Sequence, residues 1–321
     1  MSVSAVKEAY DSLRSEIANV VVGQDDLLRS LLVGFFSDGH VLLEGVPGLA
    51  KTLVAESLSK ALDLDAVRIQ FTPDLLPSDI VGTETYRPQT GEFSVKKGPV
   101  FANVVVADEI NRAPSKVQSA LLEAMQERRV SIAGESFPLP APFFVVATMN
   151  PLEEEGTYAL PEASLDRFLL KIRVDYPNKA EEIEIMRRMS SSKALSVGKV
   201  LGKKEVVELR KAVQDGVHVD EKLYSYVADL VSATREPAKY GMNEYAGMMA
   251  YGASPRASIG LIRAAKALAA ISGRDYAVPE DVKAVAKEVL RHRIGLAYEA
   301  TVTGTDPDIL IEAVLAHVPV P

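Results

Sequence analysis

A short apolar run, His40-Val-Leu-Leu-Glu44, feeds directly into Gly45-Val-Pro-Gly-Leu-Ala-Lys-Thr52, and a helical pattern opens at once behind it. Strand, glycine-bearing loop and helix in this order constrain the chain more than any other stretch. The arrangement aims backbone N–H groups and the positive end of a helix at one point, where phosphate oxygens fit. Lys51 adds a mobile charge to that point, and the Thr52 hydroxyl can ligate Mg²⁺. One position departs from the G-x-x-x-x-G-K-[ST] pattern: Ala50 stands where the second glycine is usual, so it must hold that backbone with a methyl group attached. The candidate nucleotide-binding residues of this run are Gly45, Val46, Pro47, Gly48, Leu49, Ala50, Lys51, Thr52 and Leu53.

A second apolar strand, Val104-Val-Val-Ala-Asp-Glu109, ends in two acids. Alone, such an end is a solvated terminus. Beside a phosphate loop, Asp108 completes the Mg²⁺ shell through water, and Glu109 polarises the water that attacks the γ-phosphate. A third strand, Phe143-Phe-Val-Val-Ala147, runs out into Thr148, Met149 and Asn150. Asn150 either holds the attacking water from the other side or, followed by Pro151, starts a turn.

Further strands are expected at Val67 to Phe71 and Leu169 to Val174, all five read as buried. Helical stripes fall between them at Thr52 to Leu62 and Ser115 to Glu127. Alternation of this kind indicates an α/β layer on a mainly parallel sheet. After Tyr176, Pro177 and Asn178 the strand signals stop. Helices are then expected at Glu181 to Met189, Lys204 to Gln214, Glu221 to Ala233, Pro255 to Ala270, Pro279 to Leu290 and Pro307 to Ala316, with a loop at Ser190 to Lys193. The division is therefore a nucleotide domain at 1–178 and a helical domain at 179–321, in keeping with a chain of 321 residues.

Composition narrows the function classes. A net charge of -8 does not suit a protein that coats duplex nucleic acid. The chain has no cysteine, which removes disulfides, thiolate metal sites and cysteine nucleophiles. His40, His218, His292 and His317 lack metal-ligand spacing, so packing or surface roles are expected for them. Met1 to Asn19 carries Lys7, Glu8, Asp11, Arg14 and Glu16, which no secretory apolar region tolerates, and no run is long enough to span a membrane. A cytoplasmic location is expected.

Two arginines complete the set. Arg167 ends the short segment Glu162-Ala-Ser-Leu-Asp-Arg-Phe168, and Arg256 lies in Ser254-Pro-Arg-Ala257, where Ser254 reads as an N-cap and Pro255 as the first helical residue. A cation beside the positive end of a helix is misplaced unless an anion comes to it. Nucleotide phosphate is one such anion; a surface ion pair is the alternative.

In this order the residues resemble AAA+ ATPases, and their wording is similar to the MoxR family: GVPGLAKT, then ADEINRAPSKVQSALLEAMQERRV, then FFVVATMNPLEEEGTYALPEASLDRF, and GASPRA in the helical half. The likeness runs from about Val20 to Ala316. It implies an α/β fold: an AAA+ P-loop αβα nucleotide-binding domain with a C-terminal all-helical lid domain, binding ATP and Mg²⁺ and assembling as a homo-oligomeric, hexameric ring. It further implies that Val22, Gly23 and Gln24 lie against adenine, that Arg167 is a finger reaching the neighbour's site, and that Arg256 is the lid's sensor. Lys51, Glu109, Asn150, Arg167 and Arg256 are thus the catalytic candidates, and Thr52 and Asp108 the metal ligands. Two hairpins are placed by the same likeness. One is Thr83–Tyr86 with Glu92–Val95 around Gly91, inserted at Gly82 to Pro99; the other is Arg129–Ile132 with Ser136–Leu139 around Gly134. They face the ring's pore or serve as covering ribbons.

Four kinds of work fit these features. The leading one is an ATP-driven chaperone that remodels or activates a protein client, in MoxR-like systems often a von Willebrand A domain partner awaiting a metal or cofactor. A helicase-type nucleic-acid motor needs cationic hairpin tips, whereas Pro88 to Glu92 and Ala133 to Ser136 are neutral to acidic, with Lys96, Lys97, Arg128 and Arg129 at their bases. A magnesium chelatase-like motor subunit differs mainly in client. A scaffold without turnover is opposed by Glu109 and Asn150.

Overall fold

The computed structural model describes residues 1–89, 91–151, 156–190 and 195–321. In chain order the strands of the first half are β1 (Val41–Glu44), β2 (Ala66–Gln70), β3 (Gly82–Arg87), β4 (Glu92–Lys97), β5 (Val104–Asp108), β6 (Arg129–Ile132), β7 (Glu135–Pro138), β8 (Phe144–Met149) and β9 (Leu170–Arg173). The helices around them are α1 (Val3–Ile17), α2 (Asp25–Phe36), α3 (Lys51–Ala61), α4 (Pro77–Val81), α5 (Ser115–Glu127) and α6 (Glu162–Leu165). Five strands form one parallel sheet in the order β2-β5-β8-β1-β9. Central strands of a covered parallel sheet read as unbroken apolar runs, and β5 and β8 do so.

Side chains alternate between the two faces. Val41, Leu43, Val104, Val106, Phe144 and Val146 enter one core, with α1, α2 and α3. Leu42, Val105, Ala107, Val145 and Ala147 enter the other, with α5. The result is three layers, helix, sheet and helix. One expectation fails here: β2 is an edge strand, not a buried one. It has β5 on one side only, and Ala66, Arg68 and Gln70 are exposed. Its charged and amide side chains fit that position.

The helical half comprises α7 (Lys179–Met189), α8 (Lys203–Gly216), α9 (Glu221–Arg235), α10 (Pro255–Ile271), α11 (Pro279–Leu290), α12 (Tyr298–Val302) and α13 (Pro307–His317). The Asn178 side chain caps α7 by accepting from the N–H groups of Ala180 and Glu181, and Glu181 closes the box on the Asn178 N–H. The loop expected after α7 begins at Ser190; its residues 191–193 lie outside the described residues. A short antiparallel pair, β10 (Met249–Tyr251) with β11 (Gly295–Leu296), occurs where no strand was expected. The first core is continuous with this half: Leu209, Leu223, Leu261, Val285 and Leu310 belong to the same cluster as the sheet residues.

Both hairpins form. β3 and β4 pair from Gly82 opposite Lys97 to Arg87 opposite Glu92, longer than expected, with Gly91 at φ 71 in the turn and Thr90 outside the described residues. β6 and β7 close on Ala133 and Gly134, both at positive φ, as a two-residue hairpin turn requires.

Candidate functional site

Parallel sheets carry their sites where the strands end. At the end of β1 the loop must pass β9, and a Cβ on Gly45 would lie 2.9 Å from the Val174 carbonyl oxygen. Gly48 needs conformation instead of space: its φ is +85 and nothing crowds it. Ala50 sits left-handed at φ 57, ψ 15 and leads into α3 with no side chain capping the helix. The first N–H groups of α3 are therefore left for an outside acceptor. Lys51 is 9% exposed, and its ammonium donates to the Gly45 carbonyl. Burial lowers its pKa, opposed by the charges of Asp108, Glu109 and Glu44. A buried cation beside unpartnered N–H groups suits a polyanion.

Asp108 ends β5 beside that loop. Its Oδ1 accepts from the Thr148 hydroxyl at 2.5 Å, and its Oδ2 accepts from Arg68 Nη2 at 2.5 Å and Nε at 3.1 Å. Glu109 is left-handed, φ 54, which turns the chain out of the strand into the 3₁₀ turn Ile110–Arg112. The Glu109 N–H donates to Thr148 Oγ1 at 2.9 Å; its carboxylate accepts from Gln70 Nε2 at 2.7 Å and lies 3.3 Å from Arg112 Nε. Thr148 thus ties both acids to β8, and β2 supplies Arg68 and Gln70 to hold them from the other side.

One cavity of ≈ 640 Å³ collects these residues. Pro47, Gly48, Leu49, Ala50, Lys51, Thr52 and Leu53 line it with Arg68, Gln70, Asp108, Glu109, Thr148 and Asn150. Asn150 is buried. An apolar wall is contributed by Val20, Val21, Val22, Pro177, Ile185 and Met189, with Gln24 and Arg188. Of the expected nucleotide contacts, Gly45 and Val46 are not in the lining. Gly23 is also off it: a Cβ there would lie 2.5 Å from the Glu181 carboxyl carbon, so Gly23 is where α7 packs onto the 20–24 segment. Arg188 fastens α7 to the residues just before that segment by donating to the carbonyls of Ala18 at 2.7 Å and Asn19 at 3.2 Å. Arg68, Gln70, Thr148, Pro177, Ile185, Arg188 and Met189 were not singled out from sequence.

The residues fit Mg²⁺ and a nucleotide by their donor chemistry. Thr52 and the carboxylate of Asp108 supply hard oxygens in one cavity with a buried lysine, the small oxygen set with which Mg²⁺ is held beside phosphates.

Neither arginine joins that cavity. Arg167 and Arg256 line a second one of ≈ 410 Å³ that shares no lining residue with the first. Arg256, on the first turn of α10, has its Nη1 3.5 Å from Asp166 Oδ2. Arg256 is thus not brought to Lys51 within this chain, because the start of α10 packs beside the turn that carries Arg167.

Comparison with known proteins agrees with this layout. Residues 40–170 match the family model for the ATPase family associated with various cellular activities (AAA), and 246–314 match the AAA lid domain. The chain is 51% identical over 311 residues to Chaperone MoxR1 of Mycobacterium tuberculosis, covering 95% of this chain and 81% of that one. It is 34% identical over 332 residues to Protein MoxR of Methylorubrum extorquens, covering 98% and 96%. A crystal structure from Cytophaga hutchinsonii matches with a TM-score of 0.93 at 49% identity, over 99% of this chain and 96% of that one.

Proposed function

Because the chain belongs to the MoxR family of AAA+ ATPases, we propose that it is a Mg²⁺-dependent ATP hydrolase, works as a hexameric ring and remodels protein clients. The supporting observation is the separation of two half-sites: Lys51, Thr52, Asp108, Glu109 and Asn150 in one cavity, Arg167 and Arg256 in another. A subunit so built binds nucleotide alone and completes the reaction only with a neighbour.

Lys51 and the first N–H groups of α3 take the β and γ phosphates, while the apolar wall from Val20 to Val22, Pro177, Ile185 and Met189 takes the base. Thr52 and Asp108 hold Mg²⁺, which when bound neutralises phosphate charge. Glu109 takes the proton of the attacking water, and Asn150 orients that water. For Glu109 to act, its carboxylate must exchange the Gln70 amide for water. Arg167 and Arg256 approach the γ-phosphate of the adjacent subunit.

A protein client is favoured by the hairpins. Tyr86 and Phe93 on β3 and β4 meet as tilted rings with centroids 5.2 Å apart and are 52% and 67% exposed, an apolar patch on an otherwise polar ribbon. Three of the cations at the hairpin bases are engaged internally: Lys97 lies over the Phe101 and Phe137 rings, Arg128 donates to the Phe143 carbonyl, and Arg129 to Ser136. A von Willebrand A domain protein awaiting a metal or cofactor is the client class proposed. Among the described residues no helix is long and apolar enough to cross a membrane; a cytoplasmic site of action is part of the same reading.

The test is Glu109→Gln. It should retain ATP while turnover falls by about 10² or more, as for loss of a general base, and the ATP-loaded variant should retain a client that Lys51→Ala does not. Wild-type turnover in Glu109→Gln overturns the assignment.

A further inference from the structure

The turn carrying Arg167 is clamped from the helical half. Arg293, just past α11, has a side chain only 3% exposed. Its Nε donates to Asp166 Oδ1 at 2.7 Å, and its Nη2 to the carbonyls of Asp166 at 3.1 Å and Phe168 at 2.6 Å. Its Nη1 donates to the carbonyls of Leu169 at 3.1 Å and Val289. The carbonyls of both chain neighbours of Arg167 are therefore held by one guanidinium.

Asp166 is the other half of the brace. With Oδ1 on Arg293, its Oδ2 accepts from Ser254 Oγ at 3.0 Å and faces Arg256 Nη1 at 3.5 Å. Ser254 Oγ in turn accepts from the Arg256 N–H at 3.2 Å, capping α10. One carboxylate thus joins the end of α11 to the start of α10, with Arg167 as its chain neighbour and Arg256 as its ion partner. A buried ion pair adds little net stability over an apolar pair of equal volume. What this one adds is direction, because the planar fork of Arg293 accepts only one placement of the turn.

We infer that Asp166 and Arg293 are positioning residues that hold Arg167 and Arg256 as one unit and make that unit move with the helical half. The inference rests on the reading that the two arginines serve a neighbour's phosphate. Neither Asp166 nor Arg293 lines the Lys51 cavity, so their effect is on turnover and not on nucleotide binding.

The experiment compares full-length, assembled Asp166→Asn, Arg293→Lys, Arg167→Ala and the Asp166→Asn/Arg167→Ala double variant. Asn keeps the volume of Asp but turns an N–H₂ toward one of its two cations; Lys keeps the charge of Arg293 but not the fork. Both should bind ATP with wild-type affinity by calorimetry and lose about 10²-fold in single-turnover rate, the usual consequence of a misplacement near 1 Å. Asp166→Asn should cost less on top of Arg167→Ala than it costs alone, since the aim of an absent side chain cannot be lost again and only that of Arg256 is left to lose. Wild-type turnover in Asp166→Asn overturns the inference, as does a multiplicative loss in the double variant or a fall in ATP affinity that matches the fall in rate. Slow turnover in Arg167→Ala beside normal turnover in Asp166→Asn sinks this inference alone. Normal turnover in Arg167→Ala sinks the neighbour reading and this inference with it.

Discussion

Two non-glycine residues with positive φ, Ala50 and Glu109, line the cavity around Lys51. Strain of this kind persists where the surroundings over-determine the backbone. Ala50 tolerates the left-handed region with a methyl group; a β-branched side chain there is a true outlier. Ala50→Gly should therefore keep ATP affinity within a factor of about two, while Ala50→Val should lose about tenfold or more, or about 1.4 kcal/mol. Equal affinities by calorimetry would show that the loop does not need this conformation. Thr148 is the second case. Its hydroxyl donates to Asp108 and accepts from Glu109, so Thr148→Val should slow turnover by about 10 to 100-fold and Thr148→Ser should not. A rate for Thr148→Val equal to that of the wild type would remove Thr148 from the account. Lys51, Thr52, Asp108, Glu109 and Asn150 were legible because each stands at a strand end or helix start, which local pattern marks. Arg68, Gln70 and Thr148 were not, because their roles depend on β2 and β8 lying on either side of β5 in register, with Gln70 opposite Asp108.

Among the elements, the five sheet strands and the helices from α7 onward, except the five-residue α12, are readable from apolar runs and helical stripes, with ends off by one or two residues. α1 had its stripe in plain view at Val6, Ala9, Leu13 and Ile17, but the segment was weighed only for secretion. α2 is apolar nearly all round and buried from Leu31 to Phe36, which blurs the periodicity that marks a surface helix. β10 and β11 are three and two residues long, too short to alternate visibly. α7 is readable as a helix, yet nothing in its own pattern says that Ile185 and Met189 line the Lys51 cavity; that follows from Gly23 and Arg188 drawing it onto the 18–24 segment. Ile185→Asp should weaken ATP binding about tenfold or more by placing a charge against the base. Unchanged affinity for ATP would mean that α7 is not part of the base pocket.

For the whole molecule, one core runs from the sheet through α1 and α2 into the helical half, and two buried histidines bond to backbone groups of the second core. His40 Nδ1 accepts from the Val145 N–H at 3.0 Å, and its Nε2–H donates to the Met125 carbonyl at 3.2 Å. His292 Nε2 pairs with the Phe168 carbonyl at 3.0 Å. Burial, and next to it Arg128, lowers the His40 pKa to about 3, and burial holds His292 well below its ordinary value. The folded protein keeps both neutral while the unfolded chain takes up protons below about pH 6.5. Their contribution is fully present above that pH and is lost as pH falls, at about 1.4 kcal/mol per unit for each. Unfolding free energy from urea titration should drop by about 2 kcal/mol per histidine between pH 6.5 and 5; a flat profile would mean that these groups are not held neutral.

At the same scale stands the division of the site between subunits, on which the functional account depends. Mixing Arg167→Ala with Lys51→Ala tests it most directly, because neither variant should turn over alone while the proposed mixed ring would contain interfaces with Lys51 intact on one side and Arg167 on the other. An arginine supplied in trans is worth roughly 10³ to 10⁵ in rate, so restoration should be plain in an ATPase assay. Turnover should recover in part in the mixture. A mixture that stays as inactive as its parts, while fluorescence energy transfer shows the subunits exchanging, would contradict it.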